Sequence, residues 1–142
     1  MRSSIVRDKS YAFALRTIRL GRWLREHKEY ELASQVLRSG TSIGANVEEA
    51  LAGVSRRDFV VKMGTASKEA RETRYWLRLL RDSKIVKSPR LAEMIEEAEE
   101  LIRILTAIVK TGQRSRTADN SKLKTQNSKL QSAPTSKEGR NP

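Results

Sequence analysis

The chain has no cysteine and a single histidine, and both scarcities remove chemistry. Without cysteine there is no disulfide, no thiolate nucleophile and no Cys-ligated zinc, a composition that suits a reducing compartment. The lone His27 stands in the turn Arg25-Glu26-His27-Lys28-Glu29 with no second histidine to share a metal, and reads as a solvated helix end. A serine–histidine pair would need an elbow motif and a third residue to orient the imidazole, and the sequence supplies neither. A Gly-rich phosphate loop is also missing. No apolar run approaches the roughly 18 residues of a membrane span. Met1 to Ile5 carry no signal-peptide-like hydrophobic stretch, so a cytoplasmic protein away from the membrane is expected.

Carboxylates are present but poorly placed for metal. Glu93, Glu96, Glu97, Glu99 and Glu100 form a cluster, yet a ferritin-like site also needs a Glu-x-x-His motif on other helices. Most of these side chains read instead as the wet face of a helix, favourable near its N-terminus because of the helix dipole. The expectation is therefore a protein without catalytic residues, metal or cofactor.

What the chain has in excess is positive charge. The net charge is +12; residues 1–112 carry 22 basic and 15 acidic side chains (+7), and residues 113–142 carry 7 and 2 (+5). Both parts favour a polyanionic partner, although a basic balance also serves solubility alone. The 142 residues fit one domain and a tail, since apolar residues are concentrated before Gly112 and nearly absent after it.

Four helical segments can be bracketed by local chemistry. The first runs from about Asp8 to His27, where Tyr11, Ala14, Leu15 and Ile18, with a second set of Phe13, Leu20 and Leu24, make a broad apolar arc. The second starts near Glu29. Propensity would break it at Ser39-Gly40-Thr41-Ser42-Ile43-Gly44, but Val36, Ile43 and Ala50 keep a seven-residue repeat through the small residues. One helix is therefore expected, with small residues that let a neighbouring backbone come close. The third opens at Ser55 with Asp58 three residues on, a capping-box pattern, and carries Phe59, Met63, Ala66, Ala70, Thr73, Leu77 and Leu80 as one seam. The fourth opens at Ser88-Pro89 and is expected to close at Gly112. Short connections between long helices imply antiparallel neighbours. The predicted fold is all-α: an antiparallel up-and-down four-helix bundle over 8–112, after a flexible N-terminus 1–7 and before a basic, disordered tail 113–142. Within that tail Leu123 and Leu130 are seven apart, too few apolar residues to offset the entropy of ordering it alone.

On the third helix, at about 100° per residue, Arg71, Arg74, Arg78 and Arg81 project to one side of the seam, while Glu69 and Glu72 lie on the other. Arg16, Arg19 and Arg22 form a shorter line on the first helix. The planar guanidinium suits phosphate, which makes both lines candidate nucleic-acid contacts. Arginines flanking a seam also pair with glutamates of a neighbouring helix or subunit, and the sequence leaves the two roles open. Trp23, Trp76 and Tyr11 exceed what one four-helix core needs, so an oligomer interface stands beside burial in the monomer. Asn46, within the apolar stretch from Ile43 to Val47, calls for a polar partner in packing or at an interface.

Several of these signatures occur together: Leu37-Arg38-Ser39-Gly40-Thr41-Ser42-Ile43-Gly44-Ala45-Asn46, then Glu49-Ala50, Ser55 with Asp58-Phe59, Lys68-Glu69-Ala70-Arg71-Glu72-Thr73, and Tyr75-Trp76-Leu77 with Leu79-Leu80. In order and spacing they resemble the bacterial four-helix bundle family of the 23S rRNA intervening-sequence protein, also called S23 ribosomal protein. Gly64 and Ser67 depart from that pattern, where larger or more apolar residues are expected, and the tail has no counterpart in it. The resemblance implies a homopentamer. It also points to a distant relation with the accessory protein of diversity-generating retroelements, a basic pentameric barrel that binds nucleic acid and a reverse transcriptase. It makes Arg16, Arg19, Arg71, Arg74 and Arg78 candidates for a charged surface, and Arg38, Ser39, Gly40, Gly44, Asn46, Tyr75 and Trp76 candidates for packing or subunit contact, beside Trp23 from the aromatic surplus. The expectation is thus a homo-oligomer binding nucleic acid, RNA in preference; the alternative is an interaction scaffold, for example an accessory subunit to a reverse transcriptase, whose arginines serve subunit contacts.

Overall fold

A computed structural model describes residues 4–53 and 55–132. It contains four helices in the order α1 (Ile5–Glu26), α2 (Tyr30–Ala52), α3 (Arg56–Asp82) and α4 (Pro89–Ser132). Each pairs with its neighbour in sequence, and α1 closes against α4 much more sparsely than α1 against α2. The result is an up-and-down bundle whose loosest seam lies between its first and last helices.

Local chemistry explains the ends. The hydroxyl of Ser4 accepts from the Arg7 amide at 3.2 Å, so α1 begins at Ile5; residues 5–7 of the expected flexible N-terminus are its first turn, and residues 1–3 lie outside the described residues. Ser55 caps α3 by accepting from the Asp58 amide at 3.0 Å. Ser88 accepts from the Arg90 amide at 3.2 Å, next to Pro89 at the head of α4. Two helices stop at lysines with left-handed backbone, Lys28 (φ 62°) and Lys84 (φ 64°). At the first, Lys28 N–H donates to Arg25 and Glu29 N–H to Leu24, the paired bonds of a Schellman motif.

The α1–α2 interface is built from small residues. Ser10, Thr17 and Gly21 of α1 are buried facing α2, with the Thr17 hydroxyl donating to the Phe13 carbonyl at 2.9 Å. A Cβ on Gly40 would sit 2.4 Å from Thr17 Cγ2, and one on Gly44 would sit 3.4 Å from the Ser10 carbonyl oxygen. The helix expected to survive its glycines does so because those glycines are where α1 lies. This packing also corrects the expected core face of α1. Val6, Phe13 and Leu24 point inward, whereas Tyr11 and Leu15 are 62% and 44% exposed and Ala14 and Ile18 are half-buried. Hydropathy misled there because the side meeting α2 is small and polar. The α3 seam is as expected from Met63 to Leu80; its first residue, Phe59, is half-buried, with Val60 in the core position.

Gly112 does not end α4. A Cβ there would lie 2.6 Å from Val60 Cγ2, so this glycine permits close approach to the start of α3 rather than capping a helix. The helix continues to Ser132, and Arg56 pairs with Asp119 across the two helices. The expected boundary at 112 is corrected accordingly: residues 113–132 are helical, since each residue added to an existing helix gains a hydrogen bond without a new nucleation step. The rest of the expected tail, 133–142, lies outside the described residues.

Two glycines separate close approach from mere helix weakness. Gly40→Ala is expected to cost about 1–3 kcal/mol by forcing Thr17 out of place. Gly64→Ala, with nothing within 4 Å of its added Cβ, is expected to stabilise by about 0.5–1 kcal/mol. Chemical denaturation of both variants checks the pair; equal effects would refute the packing role of Gly40.

Candidate nucleic-acid interface

The two arginine lines come to opposite flanks of α4. On the α3 side, Arg71 donates to the Thr106 hydroxyl at 3.2 Å, a contact between the antiparallel α3 and α4. Arg78 is exposed and Arg74 half-buried along the same flank, while Arg81 is held by Asp82 at 2.8 Å. On the α1 side, Arg16 pairs with Glu97 at 2.6 Å and Lys9 with Glu100. Among the described residues no carboxylate comes within the 4.0 Å of an ion pair to Arg19, Arg22, Arg71, Arg74 or Arg78. Arg71 keeps its neutral contact to Thr106, and all five guanidiniums retain donors for solvent or a partner.

The sparse α1–α4 seam opens as a cleft of 550 Å³. Leu20 and Trp23 of α1 form one wall; Leu91, Met94, Glu93 and Glu97 of α4 form the other, with Val86, Lys87 and Ser88 closing one end. Arg16, Arg19 and Arg90 also line it, whereas Arg22, one turn beyond Arg19, does not. Trp23 stacks on His27 with ring centroids 3.9 Å apart and planes inclined by 21°. His27 is thus more than a solvated helix end, and its Nδ1 lies 2.8 Å from the Trp23 carbonyl oxygen. Lys87 and Arg90 were missing from the sequence-based site. They sit in the loop and first turn where α4 starts, and no periodicity links them to α1.

The packing candidates fall into three groups. Gly40 and Gly44, with buried Ser39 whose hydroxyl donates to Gln35 at 2.9 Å, belong to the interior of this chain. Asn46 donates to the Ser42 carbonyl at 2.9 Å within its own helix. Arg38 crosses from α2 to α3, where Glu69 at 3.5 Å and Glu72 both receive it, and the Trp76 indole N–H donates to Glu72 at 3.4 Å. The glutamate flank of α3 therefore serves an internal tie. Tyr75 remains 52% exposed, edge-on to Trp76 at 5.3 Å. Among the described residues every deeply buried side-chain nitrogen or oxygen has a partner, no three His, Cys, Asp or Glu converge to hold a metal, and no helix is long and apolar enough to cross a membrane.

These features define a four-helix bundle with a cationic surface on either side of its last helix. The chain belongs to the 23S rRNA-intervening sequence protein family, whose model matches residues 2–107. It is also similar to a solved structure from Bacteroides thetaiotaomicron, described as a protein of unknown function from the S23 ribosomal protein family. The two are 42% identical with a TM-score of 0.72, covering 75% of this chain and 99% of that one. No curated protein matches.

Two carboxyls on the flanks report on pH. Burial raises Glu69 above the ordinary glutamate range, with repulsion from Glu72 adding and Arg38 opposing. Burial likewise raises Glu97 against the pull of Arg16. A group raised in this way binds more protons folded than unfolded. Its contribution is therefore gained as pH falls toward the ordinary glutamate value and lost as pH rises through the raised one. Glu69→Gln keeps the Arg38–Glu72 pair, and is expected to raise Tm slightly at neutral pH and to flatten its rise on mild acidification. Thermal melts across that pH range decide; a lower neutral Tm would show that the Arg38–Glu69 attraction outweighs burial.

Proposed function

We propose that this protein is a non-enzymatic, cytoplasmic, homo-oligomeric bundle, pentameric as the family resemblance implies, that binds nucleic acid through its phosphates. The observation carrying this reading is the set of arginines without a paired carboxylate among the described residues, Arg19 and Arg22 on one side of α4 and Arg71, Arg74 and Arg78 on the other. The net charge of +12 supports it, and the rRNA in the family description favours RNA over DNA. Phosphate binding of this kind releases counterions, so affinity falls with salt. Filter binding of an RNA at two salt concentrations is the test. Replacing Arg71, Arg74 and Arg78 with Gln is expected to weaken binding and to reduce the slope of log affinity against log salt by up to about 3, near 1 per lost phosphate contact. Binding that ignores salt, or none at low salt, removes the proposal.

A second reading, an interaction scaffold such as an accessory subunit to a reverse transcriptase, has its arginines serve subunit contacts and draws also on the outer face of α1. Tyr11, Leu15 and Ile18 follow one another at helical spacing, with Tyr11 and Leu15 well exposed. Under this reading the Arg71, Arg74 and Arg78 replacements lower the assembly mass; under the first they leave it unchanged. Leu15→Glu is expected to dissociate the oligomer in sedimentation analysis while retaining helicity. An unchanged mass would place the subunit contact elsewhere.

A further inference from the structure

We infer that the α1–α4 cleft is a subsite for an unpaired nucleotide base, and that the nucleic acid this protein prefers is single-stranded at that point. The inference rests on the nucleic-acid reading above and adds where a base goes and why it must be unpaired. Its two walls carry apolar and aromatic groups, Leu20 and Trp23 from α1 and Leu91 and Met94 from α4. Its rim is cationic, with Arg19, Lys87 and Arg90 lacking any carboxylate within 4.0 Å among the described residues. The cleft also opens at the first turn of α4, where the helix dipole adds positive potential.

An apolar slot beneath a positive rim fits a base carrying phosphates on either side. The volume of 550 Å³ falls among small-molecule sites, which span about 300–1,000 Å³. That is room for a base. Trp23 lines the cleft and already stacks with one aromatic ring, that of His27, at a centroid distance of 3.9 Å and an interplanar angle of 21°. Glu93 brings an acceptor for an exocyclic amino group to the α4 wall, beside Glu97, which is already paired with Arg16. An acidic peptide would satisfy the same rim but would place no π-face against the indole. Stacking on an aromatic side chain tolerates any base, so the subsite selects strand state more than sequence.

The experiment uses the full chain at low salt with three RNA probes of equal phosphate number: a single-stranded decamer, a duplex, and an abasic decamer. The single strand is expected to quench tryptophan fluorescence, and the quenching is expected to disappear in Trp23→Phe but persist in Trp76→Phe. Trp23→Leu should lose roughly tenfold in affinity for the single strand and little for the abasic strand, as expected for one lost base stack. Arg90→Glu, an exposed position that leaves packing intact, should weaken both decamers. Equal affinity for the three probes with silent Trp23 overturns the subsite while leaving phosphate binding in place. Failure to bind any probe overturns the functional reading itself, and the subsite with it. Tighter binding of an acidic peptide than of the single strand assigns the cleft to protein and also overturns the inference.

Discussion

The close approach of α1 and α2 governs the rest of the bundle. Gly40 lies where a methyl group would collide with Thr17, and Gly44 lies against the Ser10 backbone. With so little side-chain volume between them, the two helices meet through backbone and short hydroxyls whose own hydrogen bonds return to the helix. This saves the larger apolar residues for the centre, where Phe13, Ile43, Met63, Leu77 and Leu101 are all buried. Protein interiors are packed closely enough that such a contact leaves little freedom for the helices on either side.

One consequence is asymmetry. Because α1 is drawn onto α2, its seam with α4 is thin and leaves a cleft. A second consequence is that Tyr11 and Leu15 lie on the side of α1 away from its small-residue contact, 62% and 44% exposed. The cationic cleft and the apolar outer face of α1 thus lie on the two sides of α1 that α2 does not cover. Ion pairs play a lesser part. The Arg38 tie to Glu69 and Glu72 and the Arg16 tie to Glu97 are partly exposed, where such contacts contribute at most about 1 kcal/mol each. Their role is to fix which arginines are occupied and which remain available.

The α3 and α4 arginine and glutamate distribution shows how one pattern serves two ends. Glu69 and Glu72 face α2 and meet Arg38, whereas Arg71 turns to α4 and meets the Thr106 hydroxyl. Sorting charges by flank in this way leaves the α4 side net positive. The extension of α4 beyond the bundle carries further basic residues, Arg114, Lys122 and Lys124 among them, into solvent.

Local signals in the sequence were enough for the helix count, the caps at Ser55 and Ser88 and the α3 seam, because each depends on neighbours within one or two turns. The continuity of α2 was also legible, since Val36, Ile43 and Ala50 hold their phase across the glycines. Tertiary contact decided three other matters. Whether a glycine ends a helix or admits a neighbour is the same residue read two ways: Gly112 proved to accommodate Val60. Which α1 face is buried depended on the partner's lack of side chains, a property of α2 that the periodicity of α1 does not contain. The joining of Arg16, Arg19 and Trp23 with Lys87 and Arg90 required the chain to fold back, since about 70 residues separate them in sequence and only the antiparallel return of α4 makes them neighbours.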